Sequence, residues 1–188
     1  MNGRNKLMDI QELLGQLVSS DSLKNIGKAA GASKKDVKNV LTSALPSLVG
    51  GLQTQASGDT AEGFANALND HAKADTSSIG SFLSNVDLED GGKIVAHLLG
   101  SDADKTTKAA AQNAGVSTNK AGSILSAAAP LLMSLVGQQT GGQNTGSGVG
   151  GVISGLLGNV DLGSVISGLA GGSSGGGILG TIMGFFKK

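Results

Sequence analysis

Apolar residues recur every three or four positions in two stretches of the chain, residues 33–45 and residues 117–128. The apolar residues of the two stretches are Val37, Val40, Leu41, Ala44 and Leu45, and Ala121, Ile124, Leu125 and Ala128. This spacing is typical of a helix with one apolar face. Since no stretch alternates apolar and polar residues convincingly, we predict an all-α fold, a compact bundle of short helices.

Cap residues mark the ends of these predicted helices. Ser33 and Ser117 precede the two apolar patterns and are good N-caps, and Gly31 and Gly115 are good C′ stops for the preceding helices. The pattern therefore predicts a helix, a tight turn and a second helix at both places.

Acidic residues predict where further helices begin. Asp59 and Glu62 resemble a capping pair for a helix that runs to about Ala72. The sequence Asn-Val-Asp-Leu occurs twice, and its aspartates, Asp87 and Asp161, are expected to be N-caps.

An internal repeat relates the two halves of the predicted bundle. Residues 10–52 align without a gap to residues 94–136, at the offset that places Ile94 on Ile10. The identical pairs include Ile10/Ile94, Leu14/Leu98, Ala30/Ala114, Gly31/Gly115, Ser33/Ser117, Ala44/Ala128, Pro46/Pro130 and Leu48/Leu132. We interpret this as a duplicated helical unit. Each proline is expected to kink its helix or to begin a new one, because proline removes a hydrogen-bond donor.

The repeat and the composition predict three segments. Residues 1–58 form the first helical repeat, and residues 59–138 hold linking helices and the second repeat, so that both belong to one body. Residues 139–188 form a Gly/Ser-rich apolar tail with short apolar helices. Residues 153–162 echo residues 79–88, which indicates that the tail is a degenerate partial third copy.

Four short motifs resemble the YidB-like family, known as bacterial domain of unknown function 937. They are ALNDH at 67–71, DGGKIVAHLLG at 90–100, AGVS at 114–117 and AAPLLM at 128–133. The resemblance covers roughly residues 9–138 and is strongest over residues 62–138. It implies a compact all-α fold of bacterial origin, and it brings no activity or catalytic residues, because none are established for the family.

Composition excludes several kinds of site. The chain has no Cys, so disulfides and thiolate chemistry are ruled out, and its 14 basic and 14 acidic residues give no net charge to attract nucleic acid. The two histidines, His71 and His97, lack the neighbours of a metal site, and no nucleophile elbow occurs. We predict a non-enzyme without catalytic residue, cofactor, metal or small-molecule substrate.

The tail carries the most unusual pattern. Gly168, Gly172, Gly176, Gly180 and Gly184 recur every fourth residue, which is the spacing that lets helices approach closely. The apolar residues between and after them are Ile178, Leu179, Ile182, Met183, Phe185 and Phe186. Because each glycine costs a helix about 1 kcal/mol relative to alanine, the tail should need a partner surface.

Three hypotheses follow from these patterns. The leading one is a structural or interaction protein, a homo-oligomer that self-associates through helical surfaces and the tail. The alternative is a membrane-active or exported protein that inserts the tail. The weakest is DNA binding through a helix-turn-helix-like hairpin with Lys34, Lys35 and Lys38. Acidic residues interrupt the N-terminal stretch, so no signal peptide is predicted and we expect a cytoplasmic protein, unless it is membrane-associated or exported by a non-classical route.

Overall fold

The structure is a computed structural model that describes residues 15–57, 59–140 and 151. Its helices are α1 (Ser20–Ala30), α2 (Lys34–Ser57), α3 (Ala61–Ala72), α4 (Ile79–Ser84), α5 (Leu88–Leu99), a 3-10 turn (Gly100–Asp102), α6 (Ala103–Ala114) and α7 (Thr118–Thr140). The described residues contain no strand. The predicted all-α fold is therefore confirmed.

Helix α7 is the centre of the bundle. Its residues 127–137 are all buried, whichever side of the helix they lie on. Helices α1, α2, α3, α5 and α6 all pack against it. The surrounding helices bury only part of their surface, so α1 for example buries Leu23 and Ile26 and exposes Lys24 and Lys28. Burial of α7 on all sides explains why its sequence carries no charge after Lys120.

The turn that joins α1 to α2 and the turn that joins α6 to α7 have the same backbone geometry. Gly31 and Gly115 adopt the left-handed conformation, with φ of 63° and 69°. The next amide in each turn reaches back across the glycine, from Ala32 N to Gly27 O at 2.8 Å and from Val116 N to the oxygen of residue 111 at 3.0 Å. Both glycines therefore end their helices as predicted.

The serine caps are also confirmed. Ser33 Oγ accepts a hydrogen bond from Asp36 N at 3.1 Å, and Ser117 Oγ accepts one from Lys120 N at 3.2 Å. Asp36 completes a reciprocal pair, because its carboxylate accepts from Ser33 N at 3.2 Å. The role of Asp36 was not predicted, although the spacing Ser-x-x-Asp indicates it.

The acidic caps are confirmed in one case and corrected in the other. Asp87 is the N-cap of α5 and its carboxylate accepts from the amides of residues 89 and 90. Helix α3 ends at Ala72 as predicted, but its N-cap is Thr60 and not Asp59. Thr60 makes no capping hydrogen bond, and its hydroxyl donates to Gln55 Oε1 at 2.7 Å. Asp161 lies outside the described residues.

The prolines do not begin new helices, so that part of the prediction is wrong. Helix α2 runs through Pro46 and α7 runs through Pro130 without a break. Each helix continues for more than two turns beyond its proline, and those turns bury apolar side chains such as Leu48 and Leu132. This packing outweighs the cost of one lost backbone hydrogen bond.

Three helix crossings depend on glycines that face a main-chain carbonyl of another helix. A Cβ atom at any of these positions would overlap the carbonyl oxygen opposite. The pairs are Gly51 with Leu98, Gly91 with Ser126, and Gly137 with Leu68. They join α2 to α5, α5 to α7 and α7 to α3. The backbones therefore approach more closely than any side chain would permit.

Candidate binding cleft

An apolar groove lies between α3 and α5, with one residue of α7 at its floor. Its volume is about 670 Å³, which is within the usual range for a ligand-binding pocket. The lining residues are Asp59, Thr60, Gly63, Phe64, Ala67, His71, Lys93, Ile94, His97, Leu98 and Met133. We call this the apolar groove.

Helical spacing places the apolar side chains of this groove on facing surfaces. Phe64, Ala67 and His71 follow one another at intervals of three and four along α3, and Ile94 and Leu98 do the same along α5. Residues at these intervals share one face of a helix. Phe64 and Leu98 belong to the buried core, whereas Ala67, His71 and Ile94 are half-buried. The half-buried side chains are the ones that a bound partner could contact.

A second cavity, of about 500 Å³, lies at the other side of His71. The end of α3, the loop to α4, α4 itself and the start of α5 surround it, and Pro130 of α7 also lines it. The lining residues are His71, Asp75, Ser78, Ser81, Phe82, Asn85, Val86, Asp87, Asp90 and Pro130. We call it the acidic cleft. Because His71 lines both cavities, they are neighbours on one side of the bundle.

Three carboxylates line the acidic cleft, and no Lys or Arg does. The Asp75 carboxylate accepts hydrogen bonds from the hydroxyl and the amide of Ser77. These bonds, the hydroxyl first, hold the pKa of Asp75 below its ordinary value. Asp87 is fixed by its capping bonds, at 2.8 Å to Glu89 N and 3.3 Å to Asp90 N. The cleft is therefore lined by three carboxyl groups, two of which, those of Asp75 and Asp87, are held in place by local hydrogen bonds.

The two histidines lie along the same groove, a proximity that the sequence did not predict. His71 and His97 are 26 positions apart in the chain, and both line the groove because α3 and α5 pack against α7 on either side of it. The main-chain carbonyl of His97 accepts a hydrogen bond from Gln55 Nε2 at 2.9 Å, which ties the end of α5 to α2. Within residues 15–57 and 59–140, no group of three or more His, Asp or Glu side chains could hold a metal ion.

The lysines of the DNA-binding hypothesis lie on the first turns of α2. Lys34 and Lys35 are exposed and Lys38 is half-buried, and Lys34 Nζ donates to Ser20 Oγ of α1. None of the three lines either cavity. The three lysines therefore form a surface that is separate from both cavities. Asp36 lies among them in the sequence.

The predicted tail residues cannot be placed. Every residue of the fourfold glycine pattern and every apolar residue of residues 178–186 lies outside the described part of the chain.

Within the described residues, α7 is the one helix long and apolar enough to cross a membrane. However, 83% of its most apolar 18-residue window is buried inside the bundle. The core helix of a soluble protein passes the same test of length and composition, so this helix gives little support to a membrane span.

The bundle and the motifs now identify the class of protein. A family model described as a bacterial protein of unknown function, DUF937, matches residues 12–139. The chain belongs to this family, as its motifs predict, and the match covers the bundle from α1 almost to the end of α7. No curated protein and no solved structure matches the chain.

Proposed function

We propose that this protein is a non-catalytic structural protein that self-associates, with residues 139–188 joining one copy to another. The observation that supports the proposal most is how the bundle itself is built. Three of its crossings bring a glycine against a carbonyl of a neighbouring helix, at positions 51, 91 and 137. Close contact through glycine is therefore one of the packing modes that this chain uses where its structure is described.

The tail repeats the same residue type at regular helical intervals. Glycines at every fourth position from Gly168 to Gly184 would present one smooth face if the segment were helical. Such a helix is intrinsically weak, since each glycine costs about 1 kcal/mol relative to alanine. Packing against another helix would offset that cost, and the apolar residues 178–186 would add buried area.

The proposal includes a duplicated origin for the body. The two helical turns share the left-handed glycine, the serine N-cap and the hydrogen bond across the glycine, at the same offset as the sequence repeat. Similar turns also arise independently in unrelated helical hairpins, so the sequence identities at the core positions are the stronger support.

Sedimentation velocity on the full chain tests the proposal through the glycine pattern. Replacing Gly172, Gly176 and Gly180 by Leu should abolish a concentration-dependent oligomer, because bulky side chains would keep the helices apart. The matched control replaces three glycines that are outside the fourfold pattern, Gly142, Gly146 and Gly148, by Leu. An unchanged oligomer in the first variant, or an equal loss in the control, would reject the role of the pattern.

A further inference from the structure

We propose that the apolar groove and the acidic cleft together bind residues 178–188 of a second copy of the chain. Residues 178–186 would occupy the apolar groove, and Lys187 and Lys188 would lie in the acidic cleft. This inference rests on the proposed self-association and names the surface to which the tail binds.

The first argument is that apolar and charged groups follow one another in the same order along the binding surface and along residues 178–188. The groove offers the half-buried side chains of Ala67 and Ile94 above the buried Met133, with Asp59 and Lys93 as its charged lining residues. It continues past His71 into the cleft. The segment has the same order, because nine residues with six large apolar side chains are followed at once by two lysines. An apolar surface beside an acidic one fits an apolar segment beside a basic one.

The second argument is charge complementarity within a chain of few charges. Asp75, Asp87 and Asp90 line the cleft without a basic residue among the lining side chains. After Lys120, the only basic residues in the sequence are Lys187 and Lys188. Two lysines lie close in sequence to the lining residues, and each is paired with a carboxylate outside the cleft, Lys73 with Asp70 at 2.8 Å and Lys93 with Glu89 at 3.3 Å. The three aspartates of the cleft are in neither pair.

The third argument concerns aromatic residues. The chain has four phenylalanines and no other aromatic residue. Phe64 lines the groove and Phe82 lines the cleft, and Phe185 and Phe186 belong to the segment. Phe64 is buried in the core, so binding of the segment would place Phe185 and Phe186 beside the half-buried Phe82. Aromatic side chains are frequent anchors of protein interfaces.

The connecting chain is long enough for this contact. If the glycine pattern from Gly168 onward is helical, the Gly- and Ser-rich residues 141–167 alone would span about 29 Å on average as a flexible chain. A bundle of this size has a radius of gyration of about 14 Å. The segment can therefore reach across to the groove of a second copy without any rearrangement of the helices.

Paramagnetic NMR on the full-length protein tests this inference. Because the chain has no native cysteine, Thr181→Cys gives a single attachment point for a nitroxide. Chains of natural isotope abundance that carry the nitroxide are mixed with 15N-labelled chains that lack it, so that only contacts between copies cause broadening. We expect a severalfold loss of amide intensity at Gly63, Ala67 and Ile94, and little loss at Lys108 and Gln112 on α6.

Two variants separate the groove from the cleft. Ala67→Glu places a charge in the groove and should restore the lost intensity, whereas the control Ala109→Glu on the exposed side of α6 should not. Reversing both tail lysines to Glu should weaken the contact, and adding Asp75→Lys with Asp90→Lys should restore it. The unchanged amide spectrum of the remaining helices serves as the check that each variant is folded.

The outcomes distinguish this inference from the proposed self-association. Broadening between copies that falls on another surface would overturn the groove assignment and leave self-association intact. If the groove amides are broadened only when the nitroxide and 15N are in the same chain, the tail binds the groove of its own chain. That result would overturn binding to a second copy. No broadening between copies, in a sample that light scattering finds monomeric, would overturn both.

Discussion

Gly91 of α5 lies directly against the main-chain carbonyl of Ser126 on α7. Pro130, four residues further along α7, has no N–H group, so the Ser126 carbonyl lacks its usual helical donor. The proline thus frees the carbonyl, and the glycine lets the other helix approach it. The contact is one that a weak Cα–H···O bond would stabilise.

The two adjacent glycines of the motif DGGK predict opposite responses to substitution. A Cβ at Gly91 would overlap the Ser126 carbonyl, whereas a Cβ at Gly92 would lie 3.4 Å from Ser126 Oγ, an ordinary contact with a hydroxyl that can rotate. Gly91→Ala should therefore destabilise the protein by about 1–3 kcal/mol or more. Gly92→Ala should be neutral or stabilise it by up to about 1 kcal/mol. Urea denaturation of both variants measures the difference, and equal effects would contradict the crossing.

A second pair of adjacent glycines lies on α2. Gly51 faces the Leu98 carbonyl at the end of α5, whereas a Cβ atom at Gly50 would meet no other atom within 4 Å. We expect Gly51→Ala to lower the free energy of unfolding by about 1–3 kcal/mol. Gly50→Ala should raise it by about 1 kcal/mol, since alanine is the better helix former. Thermal unfolding followed by circular dichroism compares them, and a stabilising Gly51→Ala would show that the helices are further apart.

The N-cap of α7 gives a prediction within one helix. Ser117→Ala removes the oxygen that accepts from Lys120 N, and it should cost about 1 kcal/mol. Ser123 lies inside the same helix, where its hydroxyl donates to Asn119 O, and Ser123→Ala should cost nothing or stabilise slightly. Chemical denaturation of the two variants measures the difference in the free energy of unfolding. An unchanged stability of Ser117→Ala would show that the serine cap does not stabilise α7.

The hydrogen bonds from Ser77 lead to a prediction about the pKa of Asp75. The Ser77 hydroxyl and amide favour the charged carboxylate, so the folded pKa is below the unfolded one. These hydrogen bonds stabilise the folded protein at pH values above the unfolded-state pKa of Asp75. The stabilisation is lost as the pH falls through the folded-state pKa. Ser77→Ala removes the hydroxyl, the larger cause, and should raise the pKa of Asp75 part of the way to its ordinary value. Carbon-detected NMR titration of the carboxyl measures this, and an unchanged pKa would mean that the amide alone holds the carboxylate.

The parts of the fold that the sequence predicts are local. Gly31, Ser33, Gly115 and Ser117 were predicted from neighbouring residues, because a cap depends on atoms within one helical turn. The start of α3 was predicted at Asp59, one residue before the observed N-cap Thr60, because the sequence has two adjacent residues of types that cap helices.

The parts that the sequence did not predict depend on contacts between distant residues. The string DGGK does not say which of its two glycines faces another helix, because that follows from how α5 is rotated against α7. The groove was missed for the same reason, since His71 and His97 line one groove only because α3 and α5 both pack against α7. The carboxylates of the cleft were visible in the sequence, but Asp87 and Asp90 indicated only a helix start.

Light scattering after size-exclusion chromatography tests self-association through the tail most directly. The full chain is compared with a chain that stops after Thr140, the last residue of α7, because Gln138 still bonds to Ala74 O at 2.9 Å and belongs to the bundle. Circular dichroism checks that the shortened chain keeps its helices. The account predicts an oligomer for the full chain and a monomer for the shortened one. Monomers in both samples, or the same oligomer in both, would contradict it.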